Sequence, residues 1–193
     1  DFIELADFAP YHPSYNGQAS FIASPVFDES GERLGILVFQ MPVDRINDVM
    51  TNKQAWDDVG LGESGETYLV GEDFRLRSQS RFLIEDRANY LEAIQQSGVP
   101  SSTVERIANL DNAIGLQSVD TLGSRAAIDR GENGTMTFPD YRGVTVLSAF
   151  RPLQLEGLNW AIMSDIDEAE AFEVFGDLRD RMLLVGSVLL ALS

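Results

Sequence analysis

Between Gly134 and Ile166 the sequence offers three β-rich segments in a row, separated only by short turns. Gly134–Tyr141 places Met136 and Phe138 on one face and Thr135 and Thr137 on the other. Arg142-Gly143 turns the chain. In Val144–Arg151, Val144, Val146, Ser148 and Phe150 alternate with Thr145, Leu147 and Ala149. Pro152–Gly157 turns it again, and Leu158–Ile166 puts Leu158, Trp160, Ile162 and Ile166 on one face. Strands joined so tightly pair antiparallel, because a parallel return needs a crossover of roughly a dozen residues or more. The result is a meander whose apolar face needs a cover of helices.

Upstream, Gly62 and Gly65 bracket a polar turn, and Thr67–Val70 follows as a short β-segment. Gly71-Glu72-Asp73 turns, and Phe74–Arg77 reads as the returning strand of a hairpin. Arg75, Arg77 and Arg81 then cluster in an otherwise acidic chain. Guanidinium groups so placed either grip a carboxylate or phosphate in bidentate fashion or form ordinary surface ion pairs. The middle of the chain reads as helical. Ala88, Leu91, Ala93 and Ile94 make one stripe, and Val104, Ile107, Ala108 and Leu110 make the next. Val99–Ser102 breaks between them, with Ser101 or Ser102 as N-cap and Glu105 completing a capping box. Leu122–Asp129 is a third helix, closed by Arg130-Gly131. Trp56–Leu61 reads as a linker.

Residues 1–18 hold Pro10, Tyr11, Pro13, Tyr15 and Gly17 and read as a loop. Ala19–Val26 and Arg33–Met41 read as strands around a turn at Asp28–Glu32. Both faces of the second are apolar, which predicts burial on both sides. Pro42 ends it, and Val43–Asn52 follows as a helix. A lone hairpin with one helix is marginal as a domain. Residues 1–50 are therefore expected to expose apolar surface, and to be poorly ordered or self-associating in isolation. From Asp167 the chain reads as helical to its end. Ala169, Phe172, Phe175, Leu178, Met182, Val185 and Leu189 form a seam that suits either a dimer contact or packing on the helix's own domain. The run Met182–Leu192 is almost wholly apolar. It reads as the start of a membrane-spanning helix, which needs about 20 such residues, or as a C-terminal core helix.

Composition excludes several functions. The 193 residues include 31 acidic and 14 basic side chains, a formal net charge of −17. Nucleic-acid binding through phosphate neutralisation is not expected. Cysteine is absent, which removes disulfides and thiolate metal sites, and His12 is the sole histidine, without a recognisable catalytic partner. Asp165, Asp167, Glu168 and Glu170 suit the start of a helix and do not read as a metal site. No nucleophile elbow, metal-ligand spacing or phosphate loop is present. The chain is read as non-enzymatic and without a cofactor.

The stretch GESGETYLVGEDFRLRSQSR resembles the start of the membrane-proximal half of a double Cache domain, the PAS-like extracytoplasmic sensor of bacterial receptors. NGTMTFPDYRGVTVLSAFRPL and LNWAIMSDIDEAEAF resemble its last three strands and exit helix. YNGQASFIASPVFDESGERLGILVFQMPVDRIN is similar to the final hairpin and link of the membrane-distal half. The resemblance implies an α+β chain. Residues 1–52 would be the end of the distal subdomain, and 53–166 the proximal subdomain, a five-stranded antiparallel sheet with helices inserted after its second strand. Residues 167–193 would be the exit helix entering the membrane. It implies a periplasmic or extracellular sensor of a chemoreceptor, cyclase, sensor kinase or phosphatase in the bacterial cell membrane, working as a homodimer. Its partner would be an anionic or zwitterionic small molecule. In relatives that bind amino acids, the distal motif has a tyrosine, an aspartate two residues on and a later proline. Tyr11 and Pro25 match roughly, and Pro13 stands at the aspartate position. A pocket on the concave face of the proximal sheet would use Tyr68, Arg77, Arg81, Tyr141 and Ser148. The alternative is that Tyr68 and Tyr141 are core residues, Ser148 is a satisfied buried hydroxyl, and the proximal half is a structural spacer.

Overall fold

The computed structural model describes residues 3–14 and 17–173. Three antiparallel strands open the chain: β1 (Glu4–Tyr11), β2 (Gly17–Phe27) and β3 (Arg33–Gln40), in the order β1-β2-β3. Within the loop expected over residues 1–18, residues 4–11 are thus corrected to a strand, 12–14 to a turn and 17–18 to the start of β2. Pro10 is tolerated because β1 is an edge strand, where a missing N–H costs no ladder bond. The irregular register between Ala6 and Ala9 marks a bulge, and Pro13 falls in the 3-10 turn His12–Ser14.

The expected burial of β3 on both sides is also corrected. Leu34 is 69% exposed, Ile36 62% and Phe39 59%. β3 is the other edge of the sheet, and its apolar residues lie open on both faces among the described residues. That agrees with the expectation of exposed apolar surface over residues 1–50. Helix α1 (Val43–Met50) ends two residues earlier than read, and buries Met50. The segment read as a linker is packed, since Trp56 is buried beside the 3-10 turn Asp57–Val59.

The second sheet contains β4 (Glu66–Val70), β5 (Gly134–Pro139), β6 (Thr145–Leu155) and β7 (Leu158–Asp167), all antiparallel, in the order β4-β7-β6-β5. The meander is as the alternation predicts, but among the described residues the sheet has four strands where five were expected. Phe74–Arg77 makes only two bridges, Leu76 to Val70 and Arg75 to Ser118. Phe74 takes a left-handed φ of 56°, so the extended run cannot begin before Arg75.

Four helices fill the insertion: α2 (Arg81–Glu85), α3 (Arg87–Gln96), α4 (Ser101–Leu110) and α5 (Leu122–Arg130). The capping box expected around Ser101 is absent. Ser101 and Ser102 already lie inside α4, behind Pro100. The box that does form joins Thr121 and Ser124 at the start of α5. Gly131, with φ 65°, closes that helix as the sequence suggests. After β7 a short helix α6 (Glu168–Ala171) begins. The rest of the exit helix, its seam from Phe175 onward and the apolar run Met182–Leu192 lie outside the described residues. Among the described residues no helix is long and apolar enough to cross a membrane.

The two faces of the second sheet are buried against different things. One face (Tyr68, Val70, Val146, Phe150, Ala161, Met163) packs on α3, α4 and α5 through Tyr90, Ile94, Ile107, Ala126 and Ala127. The other (Leu69, Leu158, Trp160) packs on Phe8 of β1 and Met50 of α1. Period-two alternation along β4 and β7 therefore builds two cores at once.

Candidate functional site

β4 begins at the turn Gly62–Gly65 and points Glu66 and Tyr68 into the helix-covered face. Register places Glu66 opposite Asp165 of β7, and Asp165 opposite Ser148 of β6. Side chains directly opposed on neighbouring strands have Cβ atoms roughly 5 Å apart. Two carboxyl-bearing residues therefore stand at facing positions on neighbouring strands, both almost fully buried.

Glu66 Oε2 accepts the Tyr141 hydroxyl at 2.6 Å, and its Oε1 accepts the backbone N–H of Arg81 at 2.7 Å. The Ser80 and Tyr141 hydroxyls are 2.8 Å apart. Asp165 Oδ2 accepts the Tyr68 hydroxyl at 2.6 Å. Burial raises Glu66 to about 7 against the pull of its hydrogen bonds. Burial likewise raises Asp165 to about 6, against Ser148 and Tyr68. The Ser148 hydroxyl lies beside Asp165 and favours its charge. Among the described residues neither Ser148 Oγ nor Asp165 Oδ1 has a hydrogen-bond partner of regular geometry.

Two connections leave this centre toward α6. In the first, the Arg81 guanidinium holds the turn, donating to Gly65 O at 2.6 Å and Gly62 O at 2.9 Å. Glu170 of α6 closes on the same turn. Its carboxylate accepts the backbone N–H groups of Glu63 and Ser64, each at 2.8 Å, and the Ser64 hydroxyl. Those bonds, with the Ser64 hydroxyl foremost, lower its pKa. Ser64 Oγ also accepts the backbone N–H of Asp167 at 2.9 Å. In the second, Arg142 bridges Asp140 at 2.6 Å and Asp167 at 2.7 Å, with its guanidinium 3.7 Å above the Phe82 ring.

Asp140 and Tyr141 also form one wall of a cleft of about 670 Å3. Its other walls are Asp73 and Arg75 of the hairpin, the α3–α4 junction Ser97–Pro100 with Thr103, and Leu116, Ser118, Asp120 and Thr121. The volume suits a small molecule.

Of the five residues singled out from sequence, Tyr68, Tyr141 and Ser148 are brought together around the two carboxyl groups. The Tyr68 and Tyr141 rings meet edge to face at 5.7 Å. Arg77 and Arg81 point elsewhere. Arg77 crosses to β1, where it grips Asp7 through two bonds of 2.8 Å, and also pairs with Asp73 at 2.8 Å. Arg81 is committed to the turn, to Glu85 at 2.8 Å and to the Trp56 ring. Glu66, Asp140 and Arg142 were not singled out. Inward placement of Glu66, two residues before Tyr68, is the signal that would have found it. Asp165, read as part of a helix-start acidic cluster, instead follows Met163 on the buried face of β7. Among the described residues no cluster of histidine, aspartate or glutamate could hold a metal ion.

No protein-family model and no curated protein matches the chain. Solved structures do. The chain is similar to the ligand-binding domain of the Pseudomonas aeruginosa amino-acid chemoreceptor PctC in complex with GABA. Identity is 13% and TM-score 0.48, over 86% of this chain and 56% of that one. It is similar to the periplasmic sensory domain of the Campylobacter jejuni chemoreceptor Tlp1 (13%, TM-score 0.49, 89% and 51%). It is also similar to the extracellular domain of the putative histidine kinase mmHK1S-Z3 (17%, TM-score 0.48, 91% and 53%). The chain spans about half the length of these domains.

Proposed function

We propose that this chain is the ligand-sensing region of a bacterial transmembrane signalling receptor, acting outside the cytoplasm and without catalysis of its own. The observation that supports it most is the position of α6. It leaves the sheet beside two connections that lead back to Asp140 and Tyr141, which form a wall of a ligand-sized cleft. A ligand that binds one arrangement of that wall better than another would shift the exit helix by that difference in affinity and no more. The small molecule would sit in the proximal cleft, with Tyr141 on its wall. Residues 1–52 end a distal subdomain, 53–166 make the proximal one, and 167–193 carry the signal to a membrane helix in a homodimer.

A second reading, a structural spacer, has its own support. Tyr68, Tyr141, Arg77 and Arg81 are all satisfied by protein groups. Thermal-shift measurement with small anions, amines and amino acids separates the two. A ligand at a hundred times its Kd stabilises by about 2.7 kcal/mol, which moves the melting temperature by several degrees. A ligand whose shift disappears on filling the cleft, as in Ser118→Trp, supports the sensor. No shift with any compound supports the spacer.

A further inference from the structure

Glu66 and Asp165 face each other at the end of the β4–β7 ladder nearest the Glu170 contact. Among the described residues neither carboxyl bonds a side-chain cation. The Arg81 side chain, adjacent in sequence to Ser80, turns away to Gly62 O, Gly65 O and Glu85. Arg142, across the β5–β6 turn, is shared by Asp140 and Asp167. The groups packed around the pair are neutral hydroxyls, with the Arg142 charge reaching both carboxyls from the β5–β6 turn. Tyr68 comes from β4, Tyr141 from the β5–β6 turn, Ser80 from the start of α2 and Ser148 from β6, with Tyr90 of α3 behind them. Asp140 adds a further negative charge nearby.

The Arg142 charge favours ionisation of both carboxyls, but its bonds go to Asp140 and Asp167, and burial outweighs it. Desolvation and like charge both disfavour the second charge, so the pair holds a proton where exposed carboxyls hold none. Resting on the sensor reading above, we infer that the Glu66–Asp165 pair is a proton-binding site whose occupancy sets the Glu170 latch on the exit helix. With one proton bound, the carboxyls accept their tyrosine bonds and β4 stays paired to β7. When the proton leaves to solvent, both groups are charged and repel across the ladder. The ladder loosens at the end where Glu66 fixes Arg81 N, Arg81 fixes Gly62 O and Gly65 O, and that turn fixes Glu170. The chain then responds to external pH in addition to any small molecule in the cleft. Each half of the response uses a bond in the structure and needs no reagent but the proton.

Carbon-13 NMR of the side-chain carboxyls in this 193-residue chain tests it directly, with the Glu63 and Ser64 amide signals as reporters of the latch. One carboxyl step is expected at about pH 6 to 7, the range to which burial raises Asp165 and Glu66. The latch amides should shift with the same midpoint. In Glu66→Gln the amide step should vanish and Asp165 should titrate lower, having lost its charged neighbour. Asp165→Asn, made in parallel, should lower Glu66 in the same way. If both carboxyls titrate in the ordinary range, or the amides ignore the step, the inference is wrong. This readout needs no receptor output, so a failed sensor reading and a failed proton site remain distinguishable.

Discussion

Asp7 gives the sharpest handle on how the two sheets are joined. Its carboxylate sits on β1 and accepts both Nε and Nη2 of Arg77 at 2.8 Å, together with the Phe8 amide and Trp160 Nε1. Arg77 is 2% exposed and Asp7 27%. Burial works against the Asp7 charge, but the Arg77 bonds and charge outweigh it and hold the pKa below the usual range. Removing one partner of a fully buried pair costs about 3–5 kcal/mol, because the other charge is stranded. Here Asp73 still faces Arg77, and Asp7 is partly wet, so Asp7→Ala should cost about 2–3 kcal/mol. Replacing both, as in Asp7→Ala with Arg77→Met, should cost clearly less than the sum of the single changes, with a coupling of about 1.5 kcal/mol or more. Urea denaturation followed by the fluorescence of Trp56 and Trp160 reports both numbers. A loss under about 1 kcal/mol for Asp7→Ala, or additive changes, would refute the clamp and free Arg77 for a ligand.

Four further outcomes follow from the geometry. A Cβ on Gly62 would stand 2.1 Å from Glu170 Oε1 at a φ of 58°, so Gly62→Ala should expel the carboxylate and speed hydrogen exchange at Glu63 and Ser64. Gly123→Ala should cost about 1–3 kcal/mol by denaturation, since its Cβ would meet Phe138 at 2.6 Å and Met163 at 2.9 Å where α5 closes on the sheet. The buried pair also gives stability a pH slope of known sign. Glu66 binds its proton more tightly folded than unfolded, so stability is full below about 4.5 and falls as pH rises toward 7. The slope should approach about 1.4 kcal/mol per pH unit if one proton is involved, and Glu66→Gln should flatten it. Glu170 acts the other way. Its lowered pKa makes its contribution present above the ordinary glutamate range and lost in acid, so the latch should be firmest at intermediate pH.

Alternation carried the sequence reading furthest. β5, β6 and β7 could be placed because Val146, Ser148 and Phe150 repeat with period two, and Leu158, Trp160 and Ile162 do the same. The same rule misled at β3, because apolar residues on both faces say what a strand wants covered and not what covers it. At β1, Pro10 reads as a breaker unless the strand is known to be an edge. The site was half legible. Tyr68, Tyr141 and Ser148 converge as read, since inward positions on neighbouring strands meet. The destination of Arg77 was not legible, because Asp7 lies seventy positions away in sequence and nothing local points to it. Glu66 and Asp165 were missed for a related reason. A carboxylate at an inward position looks like a turn or cap residue until the register places a second one opposite.

The proposed sensor role requires that the state of residues 53–166 reach a membrane helix through the contact between α6 and the Gly62–Ser64 turn. Signalling output of the intact receptor, recorded for Glu170→Ala and Gly62→Ala beside the unaltered protein, tests it most directly. Both substitutions remove the same contact from opposite sides. The account predicts that they shift basal output in the same direction and blunt its response to stimulus. Unchanged output and response in both, with the folded protein at normal abundance in the membrane, would contradict it.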